Sequence, residues 1–281
     1  MTRILGAVAI PERSAREPMD DRRTRGADGA EIWYRVAGSG PRPVVLLHGW
    51  AGSGTGRSWN PMLDALDSSG LRVIAVDFRG HGRSARGPDR FGIDDLVGDV
   101  LAVLNAETID QATVVGHSAG GRVALRLSAR HGARVRSQLL LAPVPPVALP
   151  LDDTVLAHWL GALDSPDAWA ALLSTFTKSA LGPDILAAYF DDARGADRVG
   201  LADLFNICRE EPFLDELPTV ECPTLIAAGA HDAGFGPATL RETIQKPIAG
   251  ARLVTLDCGH EIPFELPELA AALLEAFVAG T

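Results

Sequence analysis

Cysteine is scarce in this chain of 281 residues: Cys208, Cys222 and Cys258 cannot all pair, and their spacing is not that of a metal-binding set. A disulfide scaffold is thereby excluded, and a reduced, cytoplasmic setting is expected. Long apolar runs are also missing. Although 47% of the residues are hydrophobic, none of the runs approaches the ~18 apolar residues of a membrane span. Basic residues are in deficit, 26 Lys+Arg against 36 Asp+Glu, which gives a formal net charge of −10. That balance disfavours nucleic acid or an anionic membrane as partner and leaves a small-molecule substrate. There is no internal repeat. The apolar stretch 4–10 is cut short by Pro11-Glu12-Arg13 with no small-residue cleavage site, so no signal peptide is expected. Residues 12–25 are dense in charge, and 1–25 read as a mobile or loosely docked N-terminal arm.

What the chain does have is an alternation of strand-like and helix-like segments. Apolar, β-rich runs lie at 44–48, 72–77, 112–117, 137–142, 224–229 and 252–257, with a lead-in around 31–36. Helical patterns separate most of them. Asn60-Pro61 opens one, with Asn60 expected as N-cap. Ile93, Leu96, Val97, Val100, Leu101 and Leu104 trace an amphipathic face for the next. The alternation predicts an α/β fold with a mostly parallel sheet covered by helices on both faces. It breaks between 146 and 218, where only short helical patterns occur, so an inserted helical cap is expected there and a core over 26–145 and 219–281. The cap is rich in Trp159, Leu160, Trp169, Leu172, Leu173, Phe176, Ile185, Tyr189, Phe190, Leu204 and Phe205. Most of these are expected to form the cap's own core.

One stretch could carry chemistry by itself. In Gly116-His117-Ser118-Ala119-Gly120-Gly121 a strand runs into G-x-S-x-G, and a helical pattern through Val123, Ala124 and Leu127 leaves it, stopping near a possible glycine cap at Gly132. Such a turn lifts a serine hydroxyl above the sheet with a helix N-terminus beneath it. A serine needs a base, and the base needs an orienting group. Asp232, after the run 224–229, and His260, after 252–257, follow Ser118 in the order that a nucleophile elbow expects. Glu261 and His231 are the competing acid and base. The backbone N–H groups of Trp50 and Ala119 are placed to form an oxyanion hole. His48 reads as a structural residue of that loop. Asp77-Phe78-Arg79-Gly80-His81-Gly82-Arg83-Ser84 reads as a tightly bonded turn, despite its catalytic look.

Taken together, His48-Gly49-Trp50, the Asp77–Ser84 segment, the Ser118 elbow, Gly229-Ala230-His231-Asp232 and Gly259-His260 with Pro263, Glu265 and Pro267-Glu268 resemble the α/β-hydrolase fold superfamily, from about Gly26 onward. The resemblance implies Ser118 as nucleophile, His260 as base, Asp232 as orienting acid, and the Trp50 and Ala119 amides as oxyanion hole. Leu141-Ala142-Pro143-Val144-Pro145-Pro146 together with His48-Gly49-Trp50 is similar to the cofactor-free haloperoxidase and aryl-esterase branch. Ala51 stands where proline often follows the tryptophan there, and the glycine-rich 52–56 is longer. A serine in the elbow separates the chain from the haloalkane dehalogenases and epoxide hydrolases, which use an aspartate. The expected activity is hydrolysis of a small-to-medium, largely apolar carboxylic ester or lactone through an acyl-enzyme, without metal or organic cofactor. Trp50, His117 and Trp159 are the candidate substrate contacts. Carbon–carbon bond hydrolases and cofactor-free lyases or oxygenases use the same triad but need a further polar group in the cap, for which His158 and Lys178 are the candidates. A non-catalytic ligand receptor is the third reading.

Overall fold

Runs of Val, Ile and Leu become strands here because helices on both faces take both sides of the sheet out of water. The computed structural model describes residues 18–87 and 89–281. Among these, eight strands form one sheet: β1 (Asp20–Arg25), β2 (Glu31–Ala37), β3 (Arg42–Leu47), β4 (Leu71–Val76), β5 (Ala112–His117), β6 (Val135–Leu141), β7 (Thr224–Gly229) and β8 (Arg252–Leu256). Their spatial order is β1-β2-β4-β3-β5-β6-β7-β8. The pairs β1·β2 and β2·β4 are antiparallel and the rest are parallel. Every strand expected from the sequence is present, with ends within two residues of those expected. The α/β architecture is therefore as read from the alternation.

The helices are α1 (Asn60–Ala65), α2 (Ile93–Ala106), α3 (Ala119–Arg130), α4 (Asp153–Ala162), α5 (Pro166–Ser174), α6 (Pro183–Gly195), α7 (Arg198–Glu210), α8 (Pro237–Leu240), α9 (Ile262–Glu265) and α10 (Pro267–Ala279). Successive residues of β3 point to opposite faces. Val45 and Leu47 pack with α2 and α3, while Val44 and Leu46 pack with α1 and α10. No helix among the described residues is long and apolar enough to cross a membrane.

Three local expectations need correction. Asp20–Arg25, assigned to the N-terminal arm, is the edge strand β1, paired along its whole length with β2. Its side chains are almost all exposed, so the backbone ladder and ion pairs such as Arg22–Glu107 hold it, and no apolar periodicity marks it. Residues 1–17 of that arm lie outside the described residues. Helix α1 is flanked by Trp59 in place of Asn60 and has no side-chain cap. Helix α3 ends at Arg130 with His131 as its cap residue, and Gly132 starts a short 3₁₀ turn.

The segment after β4 is bound as its polar density suggests. Buried Asp77 accepts from Ser53 Oγ (2.9 Å), the Gly54 and Thr55 amides (2.6 and 2.8 Å), Thr55 Oγ1 (2.5 Å) and the Arg83 amide (2.7 Å). Arg79 bridges Asp99 and Asp28. Helices α4–α7 form an insertion between β6 and β7. Both its roots are tied to α3 by Arg122, whose guanidinium donates to the carbonyls of Pro145, Val147 (3.2 Å) and Glu211 (2.5 Å) and lies over the Phe213 ring.

Candidate active site

At the end of the fully buried strand β5 the chain reverses sharply into α3, and Ser118 takes the turn with φ 53° and ψ −118°. This left-handed conformation costs a non-glycine residue about 1–3 kcal/mol, so its surroundings must impose it. They do. The Ser118 amide donates to Leu141 O (3.0 Å), and its carbonyl accepts from Gly121 (3.0 Å) and Val144 (2.9 Å). The flanking glycines are sterically required. A Cβ at Gly116 would lie 2.5 Å from Gly120 O, and one at Gly120 would collide with the Leu47 carbonyl.

Two loops from neighbouring strand ends converge on this turn. His260, after β8, brings Nε2 to 2.8 Å from Ser118 Oγ, and its Nδ1 lies 2.7 Å from Asp232 Oδ2, after β7. The second Asp232 oxygen accepts from the Gly234 and Phe235 amides (3.0 and 2.9 Å), which fixes the carboxylate. Burial opposes charge on His260. The Asp232 hydrogen bond and charge outweigh it, aided by Glu261 and Glu265, so the imidazole's pKa is raised. For Asp232 burial works upward, but the His260 hydrogen bond and charge and the two amides hold the carboxyl below its ordinary value. Trp50 and Ala119 line the same cavity, and no acceptor for either backbone N–H occurs among the described residues.

Other sequence candidates sort by position. His48 is buried; its Nε2 accepts from the Phe78 amide (3.0 Å), so Nδ1 carries the proton to Gly49 O (2.8 Å), and burial lowers its pKa to about 4. His231 pairs instead with Asp257 (2.9 Å), away from Ser118. His117 lies beneath the site, 3.1 Å from His260 O, with its pKa pushed down to about 3 by burial and then by the nearby His260. Glu261 adjoins His260 but does not reach its Nδ1. Ligand atoms of His117, His260 and Glu261 lie within 4.8 Å of one another. Both His260 ring nitrogens are already engaged by Ser118 and Asp232, and His117 Nε2 by His260 O, so hydrogen bonding accounts for the two histidines and leaves the Glu261 carboxyl unengaged.

Above Ser118 is a cavity of about 190 Å³, below the ~300–1,000 Å³ of pockets for drug-sized ligands. Its walls are overwhelmingly apolar and come from the insertion and the loops after β3, β5, β7 and β8. Trp50 and Trp159 both line it, their rings in edge contact at 5.2 Å, and Trp50 Nε1 is held by Leu201 O (2.9 Å). The insertion's apolar residues are less inward-looking than expected. Of the eleven named above, all except Leu160, Ile185, Phe190 and Leu204 line the cavity. The reason is that Trp169, Leu172, Leu173 and Tyr189 belong to the insertion's own cluster and also face the cavity, so one side chain serves both. His158 is exposed, and Lys178 pairs with Asp257 (2.6 Å); neither lines the cavity. Phe235 and the Phe176 carbonyl, which accepts the His260 amide at 2.7 Å, also shape the site and gave no sequence signal.

The comparisons with known proteins agree with this geometry. Residues 42–199 match the family model described as alpha/beta hydrolase fold. A non-heme haloperoxidase of Rhodococcus erythropolis is 32% identical over 243 residues, covering 81% of this chain and 88% of the relative. The enol-lactonase of Burkholderia xenovorans LB400 superposes with TM-score 0.79 at 27% identity, covering 92% of this chain and 100% of its own. An esterase from Exiguobacterium antarcticum superposes with TM-score 0.82 at 24% identity, covering 92% and 98%, a likeness of fold alone. The chain belongs to the α/β-hydrolase fold family and is a hydrolase enzyme.

Proposed function

We propose that the protein is a serine hydrolase that cleaves a small-to-medium, largely apolar carboxylic ester or lactone through an acyl-enzyme, with 146–218 as the cap over a core of 20–145 and 219–281. The observation that carries the reading is Ser118 Oγ at 2.8 Å from His260 Nε2, at the floor of an apolar cavity. His260 takes the hydroxyl proton as Oγ attacks the carbonyl carbon, while its Nδ1–H donates to Asp232. The Trp50 and Ala119 amides receive the oxyanion, each donor worth about 3 kcal/mol in the transition state. The tetrahedral adduct collapses, His260 protonates the departing alkoxide, and a water activated by the same imidazole hydrolyses the acyl-enzyme. The enol-lactonase likeness supports the ester or lactone class. The carbon–carbon and lyase readings need a polar cap group, and His158 and Lys178, the candidates for it, lie outside the cavity. Three free cysteines accord with a reduced, cytoplasmic location.

The test is covalent labelling with turnover. A fluorophosphonate should add mass at Ser118 only, and Ser118→Ala should fold normally yet lose several orders of magnitude in kcat on aryl esters. Labelling at another serine, or full activity in the variant, refutes the assignment.

A further inference from the structure

The proposed mechanism leaves one carboxyl of the cavity without a role. Glu261 is 5% exposed and lines the cavity beside the catalytic histidine. Its Oε2 is sealed from solvent with no hydrogen-bond partner. The closest cationic candidate is His117 Nε2, 3.8 Å away and already occupied by the His260 carbonyl. No structural bond therefore explains why a carboxyl sits here, among walls that are otherwise almost wholly apolar. A buried polar group without a partner costs about 1–3 kcal/mol, more if charged. Oε2 itself is covered by protein, so a bound molecule meets the carboxyl through Oε1, for which no hydrogen-bond partner occurs among the described residues.

We infer that Glu261, in its carboxylic acid form, donates a hydrogen bond to a second oxygen of the substrate, distinct from the scissile carbonyl, so that the preferred substrates are esters or lactones bearing an additional acceptor such as an ether or keto oxygen. This rests on the ester-hydrolase reading and narrows its substrate class. The electrostatic surroundings favour the acid form. The carboxyl is raised to about 7 in all: burial pushes it up most, His260 pulls it down, and Glu265 of α9 and Asp232 of the β7 loop add to the rise. Tyr189 of α6, itself buried with a raised pKa, and His117 of β5 are the other titratable groups facing it. Near pH 6 the group is mostly a donor; above pH 7 it becomes an acceptor that repels the substrate oxygen.

The experiment uses three esters of equal length: butyl butanoate, butyl methoxyacetate and 2-methoxyethyl butanoate, which place an ether oxygen nowhere, in the acyl half and in the alcohol half. The readout is the ratio of kcat/KM for each oxygen-bearing ester to that for butyl butanoate, divided by the same ratio for hydroxide. At pH 6 one of the two ratios should be about tenfold above unity in the wild type and should decline as pH rises through 7. Glu261→Gln, which donates at every pH, should keep the preference and flatten its pH dependence. Glu261→Met should bring the ratio below unity, because an ether oxygen is then buried with no donor. A merely space-filling Glu261 leaves the ratio unmoved in both variants. Wild-type ratios near unity at pH 6, or a preference that survives Glu261→Met, overturn the inference. Fluorophosphonate labelling separates the two levels. Labelled enzyme that hydrolyses butyl butanoate without oxygen preference overturns this inference alone, whereas unlabelled enzyme inert to all three esters overturns the hydrolase mechanism and this inference with it.

Discussion

Replacing Asp77 by asparagine changes one acceptor oxygen into a donor at a fully buried carboxylate that collects five donors. The cost follows from how those donors are divided. Oδ1 takes Ser53 Oγ and the Gly54 and Thr55 amides; Oδ2 takes Thr55 Oγ1 and the Arg83 amide. The asparagine carbonyl is best placed on the first side, where two donors are backbone N–H groups that cannot turn away. Its NH₂ then meets the Arg83 amide, while the Thr55 hydroxyl can rotate to accept. One charge-assisted bond is lost and two donors face each other, about 3 kcal/mol in all. For a domain of this size that is a fall in Tm of roughly 6–12 °C. Differential scanning calorimetry gives the Tm, and kcat is expressed per Ser118 titratable by fluorophosphonate. The expected outcome is a lower Tm with kcat per active site within a few-fold of wild type. An unchanged Tm with a thousand-fold loss of kcat would mean that Asp77 takes part in the chemistry and that the segment was misread.

The orienting acid gives a sharper kinetic test. Asp232→Asn should lower kcat on the order of 10⁴-fold, and the surviving activity should show its acid limb at lower pH, because the hydrogen bond and charge that raise the His260 pKa are gone; a limb that stays in place, or a variant close to wild type, points to another carboxylate. For chain length, kcat/KM over aryl esters from acetate to decanoate should climb by about 0.8 kcal/mol per methylene and then fall at the wall. Trp50→Ala should move that maximum to longer chains, and a maximum unmoved in the variant would mean that Trp50 does not bound the acyl site.

The sheet from β3 to β7 is legible in the sequence because burial on both faces demands uninterrupted apolar runs, and those runs are conspicuous. The edge strand β1 is not: its residues Asp20 to Arg25 satisfy their backbone by pairing with β2 while their side chains stay in water, so charge density masks a strand as an arm. The Ser118, Asp232 and His260 candidates can be read from chain order, since each follows the end of its own strand. What order cannot supply is the choice between rival bases such as His260 and His231, which the fold separates by sending His231 outward to Asp257. The cavity walls were least legible. An aromatic such as Trp169 or Tyr189 has the same helical spacing whether it packs inside the insertion or faces the cavity, and here it does both.

Arg122 stands one helical turn beyond Ser118, and its guanidinium holds the carbonyls at both roots of the insertion. The walls of the cavity and the helix whose first amide faces it are consequently geared to each other. An engineer who lengthens or shortens the loop around 145–147 to enlarge the cavity also pulls on α3, and with it on the Ser118 turn and the Ala119 amide. A side chain that merely projects inward, such as Leu172, carries no such linkage. Reshaping this enzyme therefore favours point changes on the inner surface over loop grafts, and a graft that must cross the roots has to bring with it carbonyls that Arg122 can still reach.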